Sequence, residues 1–130
     1  MARLRLQHVS LVIPQGGQDR VRAFYGDLLG LEEKQPPKSL AHLQLVWFIA
    51  GEREIELHFT PEGVPPDGTD QRHICLEVDN LEVYRQRLTE AGIAQDEAVP
   101  IPYRPRFFVR DPFGNLLELT TIQGDYHLAE

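Results

Sequence analysis

Two segments of this chain run through the same order of strand and helix with the same residue types at matching places, and that repetition limits the fold more than any other feature. In the first, residues 4–13 alternate. Val9, Leu11 and Ile13 fall on one side and Leu6, His8 and Ser10 on the other, the pattern of a strand with one buried face. Pro14-Gln15-Gly16-Gly17 breaks it, and Val21, Phe24, Tyr25 and Leu28 then recur at the spacing of an amphipathic helix that Gly30 closes. Residues 31–35 read as a short strand and 43–49 as a longer one rich in β-branched and aromatic residues. After a turn at Gly51-Glu52, Ile55, Leu57 and Phe59 alternate with Glu54, Glu56 and His58. The first half is therefore β-α-β-β-β.

The stretch from Pro61 to Gly68 is dense in Pro and Gly, and the order then begins again. In residues 73–78, Ile74, Leu76 and Val78 face one way and His73, Cys75 and Glu77 the other. Asp79-Asn80-Leu81-Glu82 has the form of a capping box for a helix carrying Leu81, Tyr84, Leu88 and Ala91, which Gly92 ends. A weaker strand lies near 93–97. Phe107-Phe108-Val109-Arg110, the turn from Asp111 to Asn115 and residues 116–122 form a closing hairpin. The expectation is one α+β domain over 1–130, built of two βαβββ modules: the first over 1–62, a linker over 61–69, the second over 70–125. They would form a concave, partly closed mixed sheet with the helices outside. Superposing the halves sets His8 on His73 and Glu56 on Glu118, with 48 residues from His to Glu in the first and 45 in the second.

Alternation also assigns faces. One face of each half is apolar and packs under its helix, whereas the other repeats a His and a Glu, a pairing uncommon on plain solvent-facing strands. Two halves related by a pseudo-two-fold axis would gather His8, Glu56, His73 and Glu118 around one divalent ion. Two imidazoles and two carboxylates suit Zn, Ni, Co, Mn or Fe(II) and leave room for a substrate with two neighbouring oxygens. The lone Cys75 excludes a cysteine-based zinc site and an internal disulfide, which fits a reducing compartment. No apolar run approaches the roughly 18 residues of a membrane span, and the N-terminus has no export-signal core. A cytoplasmic location follows as the expectation. A formal charge of −7 without a Lys/Arg cluster argues against nucleic acid.

The segments His8-Val9-Ser10-Leu11-Val12-Ile13, Phe24 to Leu31, His73 to Asn80 and Asp111 to Leu119 together resemble the vicinal oxygen chelate superfamily, which includes glyoxalase I, fosfomycin-resistance transferases, bleomycin-binding proteins and extradiol dioxygenases. The resemblance covers essentially the whole chain. It is specific for the fold and weak for the reaction. It implies a metal held by His8, His73 and Glu118, with Glu56 completing the glyoxalase-type set and His58, two residues on along the same face, competing for that fourth place. It also implies that Glu118 and Glu56 share the catalytic base role in moving a proton between adjacent carbons. His58, Trp47, Tyr103, Arg106 and Phe108 are the candidates for contacting a small-molecule substrate. The resemblance favours a glyoxalase-like lyase or isomerase that pairs as a homodimer. The alternatives are a metal-free drug-sequestering protein of the bleomycin-resistance type, an extradiol dioxygenase or a thiol transferase. Whether His8 meets His73 of its own chain or of a second copy is left open by the sequence.

Overall fold

The computed structural model describes residues 3–62 and 64–130. Met1, Ala2 and the linker residue Gly63 lie outside the described residues. The chain divides into two compact units, 1–66 and 67–130.

In the first unit, β1 (His8–Val12) leads into a helix, α1 (Gln18–Val21), and then into β2 (Glu32–Lys34), β3 (Val46–Gly51) and β4 (Ile55–Thr60). The sheet order is β1-β4-β3-β2, parallel between β1 and β4 and antiparallel elsewhere. The second unit repeats this with β5 (His73–Glu77), α2 (Leu81–Glu90), β6 (Asp96–Glu97), β7 (Arg106–Arg110) and β8 (Leu116–Thr120) in the order β5-β8-β7-β6. Each unit is thus βαβββ with one mixed sheet, and the α+β class read from the sequence holds.

Several local expectations change. Regular pairing in β1 starts at His8 and not at Leu4, because Leu4 and Leu6 extend past the partner strand and stay exposed. The first helix widens after one turn into a π-helical stretch over Arg22–Leu28, with Leu29 N–H donating to the Phe24 carbonyl at 3.0 Å. That widening buries the adjacent residues Phe24 and Tyr25 together. Tyr25 packs on Phe59 with ring centroids 4.5 Å apart, and Phe48 meets Phe59 edge-on. Gly26 sits closely against this cluster: a Cβ there would come within 3.3 Å of the Phe48 ring, which would have to shift by a few tenths of an ångström. A 3-10 helix over Lys38–Leu43, unforeseen from the periodicity, shortens the third strand at its start. Asn80 caps α2 in extended conformation but makes no side-chain capping hydrogen bond, so the capping box does not close.

Strand β4 is buried on both faces: Glu56 and His58 are buried on one side and Leu57 and Phe59 on the other. Strand register also revises the superposition of the halves. Ile13 N–H donates to Thr60 O and Val78 N–H to Thr120 O, at 3.0 and 2.8 Å. His8 stands opposite Glu56 and Ser10 opposite His58, while His73 stands opposite Leu116 and Cys75 opposite Glu118. With His8 matched to His73, the counterpart of Glu118 is therefore His58, and Glu56 matches Leu116. The shift is two residues, which leaves every side chain on its face.

Candidate functional site

In the first unit, the polar face centres on Glu56, a carboxylate only 3% exposed. Its Oε1 lies 2.8 Å from His58 Nε2 and its Oε2 lies 2.5 Å from the Lys34 ammonium. Lys34, Trp47, His58 and Ser10 form one cross-strand row over β2, β3, β4 and β1. Rings fill this row. Trp47 lies flat on His58 with centroids 3.8 Å apart and planes 2° apart, and His8 covers the other face of His58 at 4.1 Å and 14°. His8 Nδ1 sits 2.7 Å from Gln7 Oε1, and the Gln7 amide donates in turn to the Glu54 carbonyl. With Nδ1 donating, the His8 Nε2 lone pair is left for a ligand.

The charge states in this unit follow from these contacts. Burial works to raise the Glu56 pKa, but hydrogen bonds from His58 and Lys34 outweigh it and hold the carboxyl below its ordinary value. Burial lowers His58, more than Glu56 raises it, so the imidazole is neutral at pH 7. The same Glu56 contact raises Lys34.

In the second unit, His73 Nδ1 lies 3.0 Å from the Gln71 carbonyl, and its Nε2 lies 3.2 Å from Glu118 Oε1. Arg106 Nη1 donates to Glu118 Oε2 at 3.2 Å and Nη2 to the Val99 carbonyl at 2.8 Å, while the buried Arg106 Nε has no partner. Phe108 and His73 meet perpendicularly, with ring centroids 5.1 Å apart and planes at 86°. A cavity of about 570 Å³ adjoins Glu118, lined by Cys75, Ile101, Arg104, Arg106, Thr120 and Tyr126 among others. The Cys75 thiol is pushed up to about 11 by burial and by Glu118, which makes it a poor nucleophile.

A metal ion suits the second-unit pair on chemical grounds. With Nδ1 donating to Gln71, the His73 Nε2 lone pair faces a carboxylate oxygen, and only a proton or a cation makes that approach favourable. Donors bound to one ion at about 2.0–2.2 Å each lie about 3 Å apart, close to the spacing seen here. His8 is prepared in the same way by Gln7. Among the described residues, however, no group of three or more His, Cys, Asp or Glu side chains is arranged to hold a metal, and the donors stand as pairs within each unit.

Of the other sequence candidates, Trp47 packs on His58, and its indole N–H is buried without a hydrogen-bond partner. Tyr103 is half exposed with φ 63°, its ring against Gly124 and its carbonyl bonded to Gln123 N–H. Lys34, Gln7 and the Gln71 carbonyl were not foreseen. Lys34 lies on the three-residue strand β2, whose residues are all charged, so no alternation marked it.

The family model described as Glyoxalase/Bleomycin resistance protein/Dioxygenase superfamily matches residues 5–119. The chain belongs to this superfamily. Among superfamily relatives, methylmalonyl-CoA epimerase, mitochondrial, from Bos taurus is 30% identical over 129 residues, covering 88% of this chain and 73% of that protein. A protein of Bacillus anthracis assigned to the glyoxalase family superposes with a TM-score of 0.82 at 29% identity, over 94% of this chain and 98% of the other. The fosfomycin resistance protein FosX of Listeria monocytogenes, solved with Mn(II) and sulfate, shares the fold with a TM-score of 0.74 at 15% identity over 98% of both chains. Among the described residues, no helix of this superfamily member is long and apolar enough to cross a membrane.

Proposed function

We propose that this protein is a metal-dependent lyase or isomerase that moves a proton at a carbon next to a carbonyl, on a small substrate with vicinal oxygens. The observation that carries the reading is the 3.2 Å approach of His73 Nε2 to Glu118 Oε1 with His73 Nδ1 committed to a backbone carbonyl. His8, Glu56, His73 and Glu118 are the donors we assign to one divalent ion. When bound, the ion would act as a Lewis acid on the substrate oxygens. Glu118, on the rim of the cavity, takes the proton from one carbon and, protonated by that step, returns it to the neighbouring carbon or to the opposite face, while Glu56 stays the ionised second carboxylate of the site. Arg106 fixes the second oxygen of Glu118 and so orients the first. The epimerase relative supports proton transfer over oxygen insertion or thiol transfer.

The test combines elemental analysis after exposure to Ni, Co, Mn, Fe and Zn with a turnover screen. Methylglyoxal plus several thiols, methylmalonyl-CoA and catechols are the substrates, with deuterium incorporation from heavy water read at the carbon next to the carbonyl. The expected result is one equivalent of a divalent ion and metal-dependent exchange or isomerisation, both lost in His8→Ala, with exchange lost in Glu118→Gln. A protein that takes up no ion from this panel overturns the reading. Binding of a cationic drug that survives a chelator, without turnover, would assign it to sequestration instead.

A further inference from the structure

We propose that His58 is a positioning residue and not a metal ligand: it is the middle layer of a Trp47–His58–His8 stack that sets the plane of the His8 imidazole. The inference rests on the reading that His8 binds the metal, and it decides a place that the sequence leaves contested between Glu56 and His58.

An ion bound to an imidazole lies close to the ring plane, along the nitrogen lone pair. The His8 and His58 rings are 14° from parallel with centroids 4.1 Å apart, so their planes do not meet near either ring. Two rings stacked in this way cannot serve one ion. His58 is also fixed on both remaining sides. Its Nε2 is spent on Glu56 Oε1, and the far oxygen of Glu56 is held by Lys34. Its second face is covered by Trp47 at 3.8 Å. The register puts His58 at the place of Glu118, so its exclusion as a ligand rests on ring geometry and not on strand position. Where the second unit has Glu118 opposite Cys75, the first has His58 opposite Ser10, and where the second has Phe108 beside Glu118, the first has Trp47 beside His58. The second unit presents a carboxylate at this place and a perpendicular aromatic ring to its His73, whereas the first presents a ring stacked nearly parallel to its His8. The first unit's carboxylate has moved two residues along β4 to Glu56, directly opposite His8.

The test is a count of coordinated imidazoles in the Co(II)-loaded protein, where each ligating histidine gives one far-shifted, solvent-exchangeable ring N–H resonance in the proton spectrum. Two such resonances are expected, from His8 and His73. Three, with one vanishing in His58→Phe, would overturn the inference while leaving the metal reading intact. Affinity gives the second measurement. His58→Phe keeps a flat ring and offers no donor, so Co(II) binding should stay within about threefold of the native protein, whereas His58→Ala should weaken it about tenfold or more, the size typical of a lost supporting contact. Equal losses in the two variants would also overturn it. If the native protein takes up no ion, it is the metal assignment that fails. The stack alone is then judged in the metal-free protein by whether His58→Ala changes the emission of Trp47, the single tryptophan.

Discussion

The His58 imidazole lies on the Trp47 indole with their planes 2° apart and their centroids 3.8 Å apart, and the two residues are direct register partners on β3 and β4. Trp47 is the chain's single tryptophan, so its fluorescence reports on this contact without interference. Replacing His58 by Ala opens one face of the indole to water, and the emission maximum is expected to move to longer wavelength. His58→Phe should leave it near the native position. An unchanged spectrum in His58→Ala would contradict the stack.

Lys34 neutralises the buried Glu56 carboxylate, and removing it leaves that charge with only the neutral partners His58 and Gln7. Lys34→Met should lower the melting temperature more than Lys38→Met on the neighbouring 3-10 helix. Adding Glu56→Gln to Lys34→Met should recover part of the loss, because the uncompensated charge is then gone. A thermal-melt cycle of the four proteins measures this coupling.

The hairpin between β7 and β8 depends on Asp111, whose Oδ1 accepts from Phe113 N–H and Asn115 N–H and whose Oδ2 accepts from the Asn115 side chain, each at 2.9 Å. Asp111 is buried, so Asp111→Ala strands donors that water does not reach. A loss of ~1–3 kcal/mol in urea-unfolding free energy is expected.

In the first core, Phe59 is fully buried and packs on Tyr25 and Phe48. Phe59→Ala combines lost burial with a cavity and should cost about 3–5 kcal/mol by the same measurement. A cost below about 1 kcal/mol would mean that this aromatic cluster is not the packed centre of the unit.

Acid should weaken the Asp70–Arg72 contact on a defined schedule. The Arg72 side chain and backbone N–H hold the Asp70 carboxyl down at about 2. Because the folded value is depressed, the contribution is fully present above the unfolded value of roughly 3.9 and is lost as pH falls through about 2. The melting temperatures of the native protein and Asp70→Asn should therefore converge as pH is lowered from 5 to 2.

The repeated halves and the faces of their strands were legible because alternation has a period of two, and a face is all that such a period encodes. Glu56 and His58 share a face, so no pattern within β4 distinguishes them. Only the hydrogen bonds to β1, ending at Thr60, decide which of them stands where Glu118 stands in β8. Lys34 was missed for a related reason: a three-residue strand is too short to announce its partners. The π-helical stretch was invisible because Val21, Phe24, Tyr25 and Leu28 satisfy an ordinary helical period equally well.

The two-residue offset between Glu56 and Glu118 bears on how such a chain changes over time. A carboxylate can move one pleat along β4, and an aromatic or imidazole can take its former place, without any side chain crossing the sheet. Two units of one topology can in this way carry the same residue types at different places along equivalent strands. Chemical diversity on this architecture then becomes a matter of sliding groups along one face of a strand while the apolar face opposite stays in place.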